Sequence, residues 1–365
     1  YLGGPLAMQV IFKTSYNQDI NILSKTGQYI RVTLLVLAML TAPLYLDVYY
    51  LSELGLLLVY VVAGVGLMIL TGFTGQVSFG HAAFLGIGAY CHSILMSMGL
   101  PFFVSLPATA LFSGLVGMLL GRSASKMHGF YLAVATLAFL IIVETLIGEW
   151  TDVTGGYAGF AVPELEIFGI YFVEMWQQYY LDLGVTLFVL WGTANLLRSP
   201  SGRAFLAVRD SELSARSLGV NIEWVKIQSF GISAAVTGVA GVLLAHHLLY
   251  LSPETFGVLE SLKLLLMIVV GGLGSILGAI FGAIFVSLLP VALSILRDVL
   301  PDEISQQAGL EPMLFGVIIV IFVVFEPDGI SGRWRKLLHL FETFPYYRKA
   351  SFIRQKSYLK TERMR

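Results

Sequence analysis

Long apolar runs separated by short polar segments occupy most of the chain between residues 33 and 325. A helix needs about 20 apolar residues to cross the hydrocarbon core of a bilayer, so each run predicts a membrane-spanning helix. Nine runs are present, at residues 33–46, 51–71, 82–98, 102–120, 131–147, 181–197, 227–250, 262–295 and 313–325. The run 262–295 is too long for one crossing and is interrupted by GGLGS at 271–275. We therefore expect two elements there and ten in all.

The charged residues are segregated between alternating loops. Basic residues occupy 122–128, 198–226 and the chain after residue 325, whereas 148–178 contains five acidic residues and no Lys or Arg. Basic loops remain in the cytoplasm, and an even number of crossings returns the chain to its starting side. We therefore predict a cytoplasmic N-terminal segment at 1–30, a transmembrane domain at 31–330 and a basic cytoplasmic tail at 331–365.

The composition supports this division. The chain is 57% hydrophobic and 12% charged, whereas soluble domains are about 45–50% apolar and roughly 25% charged. A single cysteine, Cys91, excludes an internal disulfide, and the 38 glycines predict close helix packing and interrupted helices. The expected fold class is an all-α integral membrane protein of about ten transmembrane or re-entrant helices, with glycine-rich breaks and a cytoplasmic coupling helix.

The tail FPYYRKASFIRQKSYLKTERMR, residues 344–365, is basic and interleaved with aromatic residues. A segment of this composition next to a membrane is expected to lie along anionic lipid headgroups. Nucleic-acid binding is not expected of a tail tethered to the bilayer.

A charged segment, GRAFLAVRDSELSARSLGVN at 202–221, interrupts the apolar pattern. Pro200 ends the preceding span, Ser201 is expected to cap the helix that follows, and Gly219 is expected to end it. Glu212 lies four residues before Arg216, the favourable order for an ion pair on one helix.

Small and apolar residues recur along this segment at intervals of three and four. They are Ala204, Val208, Ser211, Ala215 and Leu218, whereas Arg209 and Arg216 share a different face. The pattern is typical of a short helix or helix pair docked into a groove on a soluble partner. A solvated interfacial helix is the alternative.

Two glycine-rich breaks, at 72–81 and 271–275, interrupt the spans. Irregular backbone at membrane depth is tolerated only where it is covered by protein or lines a watery cavity, so both breaks are candidates for a solute pathway. The pathway candidates, with two residues of the span 131–147, are Gly72, Thr74, Gly75, Gln76, Ser78, Gly80, His81, Tyr131, Thr136, Gly271, Gly272, Gly274 and Ser275. The alternative for each is tight helix packing, with hydroxyls bonded to helix carbonyls.

Histidines raise the possibility of a haem or metal enzyme. On one helix, His81 and His92 would be about 16 Å apart and could not ligate the same ion. His246 and His247 are adjacent and therefore point to different faces. We expect no redox or metal site.

An ion-coupled carrier is a further alternative. It would require an acid or base embedded in the membrane. Apart from Glu144 and Lys263 near span ends, we expect the spans to be nearly bare of charge.

Several segments together resemble the permease subunits of bacterial ABC importers, specifically the branched-chain amino acid (LivM-like) family. The similar segments are GFTGQVSFGHAAFLGIGAY (72–90), MHGFYLAVATLAF (127–139), TGGYAGF (154–160), the charged segment 202–221, YLSPETFGVLESLKLLLMIVVGGLGSILGAIFGA (250–283) and FEPDGISG (325–332). They occur in the family's order and span roughly residues 50 to 335.

This resemblance implies that the segment 202–219 seats in a cleft of an ATP-hydrolysing subunit. The implied contacts are Gly202, Arg203, Ala207, Arg209, Asp210, Glu212, Ala215, Arg216 and Gly219. It further implies a multi-pass protein of the bacterial inner membrane, working with a second permease subunit, two ATPase subunits and a periplasmic binding protein.

The chain has no Gly-Lys dipeptide and hence no P-loop, so ATP and magnesium would be bound by the partner. No catalytic residue, cofactor or metal is expected in the chain itself. The implied cargo is branched-chain amino acids, with urea, short amides or other small carboxylates as alternatives.

Overall fold

The computed structural model describes residues 26–299 and 310–343, apart from residues 168, 173 and 327. Within these ranges the helices are α1 Thr26–Thr41, α2 Val48–Leu67, α3 His81–Ser97, α4 Phe102–Ala124, α5 Phe130–Glu149, α6 Thr151–Thr154, α7 Met175–Arg198, α8 Pro200–Asp210, α9 Glu212–Ser217, α10 Ile222–Leu248, α11 Val258–Gly271, α12 Ile276–Val299, α13 Leu310–Phe325 and α14 Gly329–Thr343. Short 3-10 turns occur at Ala42–Leu44, Gly156–Ala158 and Pro253–Phe256, and a π-helical turn, Met68–Gly72, extends α2.

Two small antiparallel sheets lie in the segments that connect the long helices. β1 Phe160–Ala161 pairs with β4 Tyr250–Leu251, and Phe160 lies opposite Leu251. β2 Glu166–Ile167 pairs with β3 Ile170–Tyr171 as a hairpin. The described part of the chain is otherwise built from helices and their connections.

The predicted all-α membrane fold is confirmed. Each apolar run corresponds to a helix, and the run 262–295 is divided into α11 and α12 at Gly272, whose φ is +111°. Five of the helices are long and apolar enough to cross a membrane, namely Val48–Gly72, α4, α5, α7 and α10; shorter apolar helices lie at Val32–Leu44 and Ile276–Pro290. The segment 1–25 and the tail 344–365 lie outside the described residues.

Helices α2 and α10 form the centre of the bundle. Most of their residues are buried within the chain, whereas α4, α5 and α7 turn most of theirs outward. On α4 the outward residues include Leu111, Leu115 and Leu119, as expected of a helix that faces lipid or another membrane subunit.

Glycines bring α3 and α10 into backbone contact. A Cβ added at Gly88 would lie 2.2 Å from the carbonyl oxygen of Gly238, and one at Gly241 would lie 2.1 Å from that of Leu85. Small residues at such crossings are the usual means of packing helices inside a membrane, where no hydrophobic force drives helices together. Glycines at these positions therefore allow α3 and α10 to pack closely.

We expect Gly88→Ala to destabilise the bundle, because the added methyl group would collide with the α10 backbone. Overpacking of this kind costs about 1–3 kcal/mol. Thermal unfolding in detergent, followed by size-exclusion chromatography, measures the effect. The control is Gly184→Ala on α7, where an added Cβ meets nothing within 4 Å. Equal melting temperatures for the two variants would contradict the close crossing.

Candidate functional site

The charged segment folds as two short helices, α8 and α9, instead of one. Ser199 is the N-cap of α8, since its hydroxyl accepts a hydrogen bond from the Gly202 amide at 3.2 Å. Pro200 then occupies the first helical position, where its missing N–H costs nothing. The expectation that Ser201 caps this helix was therefore wrong, because the proline starts the helix instead of preceding it.

A break at Ser211 changes which side of the segment faces outward. Ser211 has extended backbone and caps α9 by accepting from the Ser214 amide. Val208 and Ala215, two members of the small-residue stripe, are buried in the main core of the chain. Val208 and Ala215 of the stripe therefore pack inward, contrary to the prediction that the stripe faces a partner, whereas Leu218 is exposed. Because of the break, Arg209 and Arg216 also lie on different helices.

The outward face of α9 carries Leu213, Ser214 and Ser217, which were not among the predicted site residues. Beside them lie Arg216, a predicted ATPase contact, and Leu218, a member of the stripe. Leu213 and Leu218 are each 81% exposed, and a shallow depression is lined by Leu213, Ser214, Arg216 and Ser217. We call Leu213, Ser214, Arg216, Ser217 and Leu218 the α9 outer face. Two leucines inside a charged segment were the available signal, since apolar side chains grouped on an exposed surface are typical of an interaction site.

The predicted ATPase contacts divide by exposure. Arg203, Arg209, Asp210, Arg216 and Gly219 are exposed, Ala207 and Glu212 are half-buried, and Gly202 and Ala215 are buried. A Cβ on Gly202 would lie 2.2 Å from the carbonyl oxygen of Leu196. Gly202 and Ala215 therefore serve packing inside the chain, and a partner cannot touch them in this conformation.

Glu212 anchors α9 to the bundle. Its carboxylate lies 2.8 Å from the Lys226 amine on α10 and 3.1 Å from the His128 ring in the loop between α4 and α5. Burial raises the pKa of the Glu212 carboxyl, but the hydrogen bonds from Lys226 and His128 outweigh it and hold that pKa below its ordinary value. The predicted pairing of Glu212 with Arg216 is replaced, because a buried lysine gains more from the carboxylate than an exposed arginine does.

The first glycine-rich break is an irregular stretch, residues 75–80, between the end of α2 and the start of α3. Its polar groups bond to the surrounding helices. The Gln76 amide nitrogen donates to Ser229 at 2.9 Å, and Nε2 of His81 lies 2.8 Å from the hydroxyl of Ser233. The Phe79 amide donates to Thr136 at 3.0 Å.

Ser261 on α11 completes this hydrogen bonding from the other side. Its hydroxyl accepts from the His81 amide at 3.1 Å and donates to the Phe79 carbonyl oxygen. The backbone of Phe79 and His81 is thus hydrogen-bonded to α5 and α11, since backbone without helical bonds needs partners at membrane depth. Helix α10 bonds to the side chains of Gln76 and His81 instead.

Most pathway candidates in this break are enclosed by the chain. The buried ones are Gly72, Thr74, Gln76, Ser78, Gly80, His81 and Thr136, whereas Tyr131 and Gly75 are exposed. A Cβ on Gly80 would lie 2.0 Å from the Thr136 carbonyl oxygen. These contacts favour the packing interpretation for the enclosed residues, and a role in the solute pathway stays a prediction.

The second break lies against the first. Gly271 and Gly272 are buried, while Gly274 and Ser275 are partly exposed. A Cβ on Gly72 would lie 2.8 Å from the Gly274 amide nitrogen, and that amide donates to the Met68 sulfur at 3.2 Å. The two breaks, about 200 residues apart in sequence, therefore meet at the end of the bundle that carries α8 and α9. We call this the basic end.

Comparison with known proteins identifies the family. The sequence profile of the family described as "Branched-chain amino acid transport system / permease component" matches residues 49–323. The chain belongs to this family. The permease is 34% identical over 243 residues to the high-affinity branched-chain amino acid transport system permease protein LivM of Salmonella typhimurium, a match that covers 60% of this chain and 57% of that protein. It thus spans less than two thirds of that relative's length.

Two further relatives are similar to the permease at lower identity. It is 26% identical over 235 residues to the high-affinity branched-chain amino acid transport system permease protein LivH of Salmonella typhimurium, covering 60% of this chain and 76% of that one. It is also 26% identical over 263 residues to the autoinducer 2 import system permease protein LsrC of Escherichia coli, covering 68% and 72%. No solved structure matches the chain.

A buried aspartate–histidine pair lies in the spans of the permease, where the sequence predicted almost no charge. Asp182 on α7 is 2.8 Å from His247 on α10, and their side chains are 1% and 7% exposed. The expectation was wrong because a single carboxylate at the start of the run 181–197 barely changes the hydropathy of the run. Glu144 is half-buried, and Lys263 lies 3.5 Å from Glu260 one turn away.

The neighbouring histidines are bonded to each other and to a serine. His92 and His246 are joined through their Nε2 atoms at 2.9 Å, and Nδ1 of His92 lies 2.9 Å from the Ser105 hydroxyl. His246 and His247 contact different partners, as adjacent positions on a helix require. In the part of the chain that the structure describes, no group of three or more His, Cys, Asp or Glu side chains is arranged to hold a metal ion.

We expect Ser261→Ala to destabilise the permease. The substitution removes the hydroxyl that accepts from the His81 amide and donates to the Phe79 carbonyl oxygen, so both backbone groups lose this partner. Leaving buried polar groups unsatisfied costs about 1–3 kcal/mol each. The melting temperature in detergent measures the loss. Ser97→Ala is the matched control, because the Ser97 hydroxyl is exposed and bonds only within its own helix turn, to Ile94. A Ser261 variant as stable as the Ser97 variant would show that water satisfies these groups.

Proposed function

We propose that the chain is the transmembrane permease subunit of an ATP-driven ABC importer for branched-chain amino acids. It would form half of a translocation pathway in a bacterial inner membrane, with both termini in the cytoplasm. The observation that carries this proposal is the α9 outer face, which presents two exposed leucines on a helix pair that is firmly attached to the bundle. Apolar side chains grouped on one exposed face are typical of a segment that docks on a partner.

The attachment of the helix pair supports a coupling role. Phe205, Val208 and Ala215 are buried in the main core, and the Glu212–Lys226 ion pair joins α9 to α10. A force on the α9 outer face is therefore passed to a central helix and is not absorbed by a flexible loop. Closure of two ATPase subunits around ATP and magnesium would displace the segment and reorient the spans by alternating access.

The relatives support the remaining partners and the cargo. The permease resembles both LivM and LivH of Salmonella typhimurium, two different permeases that are named for the same transport system. This agrees with a pore formed by two permease subunits. A periplasmic binding protein would deliver the solute. The LsrC relative is named for another cargo, so the 34% identity to LivM is what favours branched-chain amino acids over urea, short amides or other small carboxylates.

We expect Leu213→Asp and Arg216→Glu to abolish binding of the ATPase subunits while leaving the permease folded. Both side chains lie on the α9 outer face, where a charge in an apolar contact or a reversed charge opposes docking. Co-purification from mild detergent with the candidate ATPase subunits measures the effect. Lys126→Glu, the same charge reversal on a neighbouring basic loop, should retain the ATPase. Binding by all three variants would rule out α9 as the docking helix.

The Asp182–His247 pair favours one other function, an ion-coupled carrier, because an embedded acid–base pair is what proton coupling requires. Transport in proteoliposomes decides between the two. For the complete importer we expect uptake with ATP and no ion gradient, and Asp182→Asn should keep this ATP dependence while lowering thermal stability. Asn retains the shape of the side chain and removes only the charge. Uptake that needs a proton gradient and disappears in Asp182→Asn would identify the carrier instead.

A further inference from the structure

Arg209, at the C-terminal end of α8, turns its guanidinium toward the bundle. Nη1 donates to the Gly72 carbonyl oxygen at 3.1 Å, while Nε and Nη2 donate to Asp210 Oδ1 at 3.0 and 2.9 Å. The side chain is 36% exposed. Both edges of the planar guanidinium are therefore used within the chain, and Asp210 fixes its orientation.

The partner of Arg209 is the end of a membrane-spanning helix. Gly72 is the last residue of the π-helical turn that extends α2, so its carbonyl is one of the terminal acceptors that a helix leaves without a helical donor. The end of a helix also carries a partial negative charge, which favours a cation there. An arginine from the charged segment thus supplies both the missing donor and the complementary charge.

Arg209 also contacts the second break. A Cβ on Gly274 would lie 2.9 Å from Nη1 of Arg209, and a Cβ on Gly75 would lie 3.2 Å from its Cγ. Gly75 and Gly274 both have positive φ, at +75° and +76°. The stem of the arginine therefore packs on the first break, and its head lies between Gly72 and Gly274. Glycine is needed at these positions both for the conformation and for the room that the arginine takes.

The second break is held from its other side by the start of α14. A Cβ on Gly272 would lie 2.4 Å from the Ser331 hydroxyl and 2.5 Å from the Asp328 carbonyl oxygen. The turn between α11 and α12 thus contacts Arg209 on one side and the start of α14 on the other, while Leu273 within it is exposed. A displacement of Arg209 therefore acts on the Gly274 side of the turn.

We propose that Arg209 is a positioning residue that connects the coupling segment to both glycine-rich breaks. On this proposal, which rests on the proposed function, the α9 outer face binds the ATPase and Arg209 transmits the movement to the ends of α2 and α12. The resemblance implied that Arg209 is itself an ATPase contact. The structure assigns it the opposite side of the segment.

The two assignments differ in what the loss of Arg209 does. If Arg209 transmits, Arg209→Ala keeps the ATPase subunits bound and still hydrolysing ATP, but uptake for each ATP consumed falls. Loss of one charge-assisted hydrogen bond corresponds to a decrease of about tenfold. Arg209→Lys, which keeps the charge but loses the planar fork, should recover part of the uptake. If Arg209 is a contact, the ATPase itself dissociates.

The test uses the complete importer in proteoliposomes and measures three quantities for each variant: bound ATPase, ATP hydrolysis and uptake of a branched-chain amino acid. Lys126→Ala is the control, an exposed basic residue in the loop between α4 and α5, and should leave uptake per ATP unchanged. Gly274→Ala perturbs the same contact from the membrane side without altering the charged segment. It should also lower uptake per ATP while the ATPase stays bound, and it covers the case in which Arg209→Ala does not fold.

Loss of bound ATPase in Arg209→Ala, or uptake per ATP equal to wild type in both Arg209→Ala and Gly274→Ala, would overturn the proposal. A failure of the proposed function looks different. It would appear in the wild-type chain, as an absence of any bound ATPase, and the assignment of Arg209 would fall with it.

Discussion

The structure depends on one constraint: backbone that leaves the helical conformation inside a membrane must find its hydrogen bonds within the protein. At residues 75–80 the Phe79 amide donates to Thr136 of α5, and Ser261 of α11 donates to the Phe79 carbonyl oxygen. The Gln76 backbone amide donates to the Leu70 carbonyl oxygen of the preceding π-helical turn. The glycines of α3 and α10 bring these two helices into backbone contact, and Ser229 and Ser233 of α10 bond to the side chains of Gln76 and His81.

Two polar pairs tie the periphery of the bundle to α10. Lys226, near the start of α10, holds α9 through Glu212, and His247, near its end, holds α7 through Asp182. Lys226, Asp182 and His247 are buried, whereas Glu212 is 37% exposed, so removing Glu212 would leave a buried amine without its carboxylate. Helix α10 is therefore held near both of its ends by polar side chains of other helices. A movement of α9 at the basic end therefore acts on α10 through the Glu212–Lys226 pair.

The sequence predicted the positions of the helices better than it predicted which side of each helix packs against the bundle. Apolar run lengths located the helices, and GGLGS located the division between α11 and α12, because both signals are local. The inward direction of Val208 and Ala215 could not be predicted, since a stripe of small residues has the same period whether it faces the core or a partner. The partners of Glu212 are distant in sequence, at Lys226 and His128. Asp182 was missed because averaging over a run conceals one carboxylate. Contacts between distant segments, such as Arg209 with Gly72 and Gly274, follow only from the packed structure.

The charged segment has an inner side that packs on the bundle and an outer side that is exposed. Residues of the inner side are constrained by the fold, whereas residues of the outer side are not. On the inner side, three residues pack in the main core and Glu212 pairs with Lys226; the three are Phe205, Val208 and Ala215. On the outer side, Leu213 and Leu218 are each 81% exposed within the described chain. Substitutions on the outer face therefore need not disturb the fold. On the proposed function, the exposed positions of the six-residue helix Glu212–Ser217 and the adjoining Leu218 are where a change of ATPase partner would require the fewest changes in the fold.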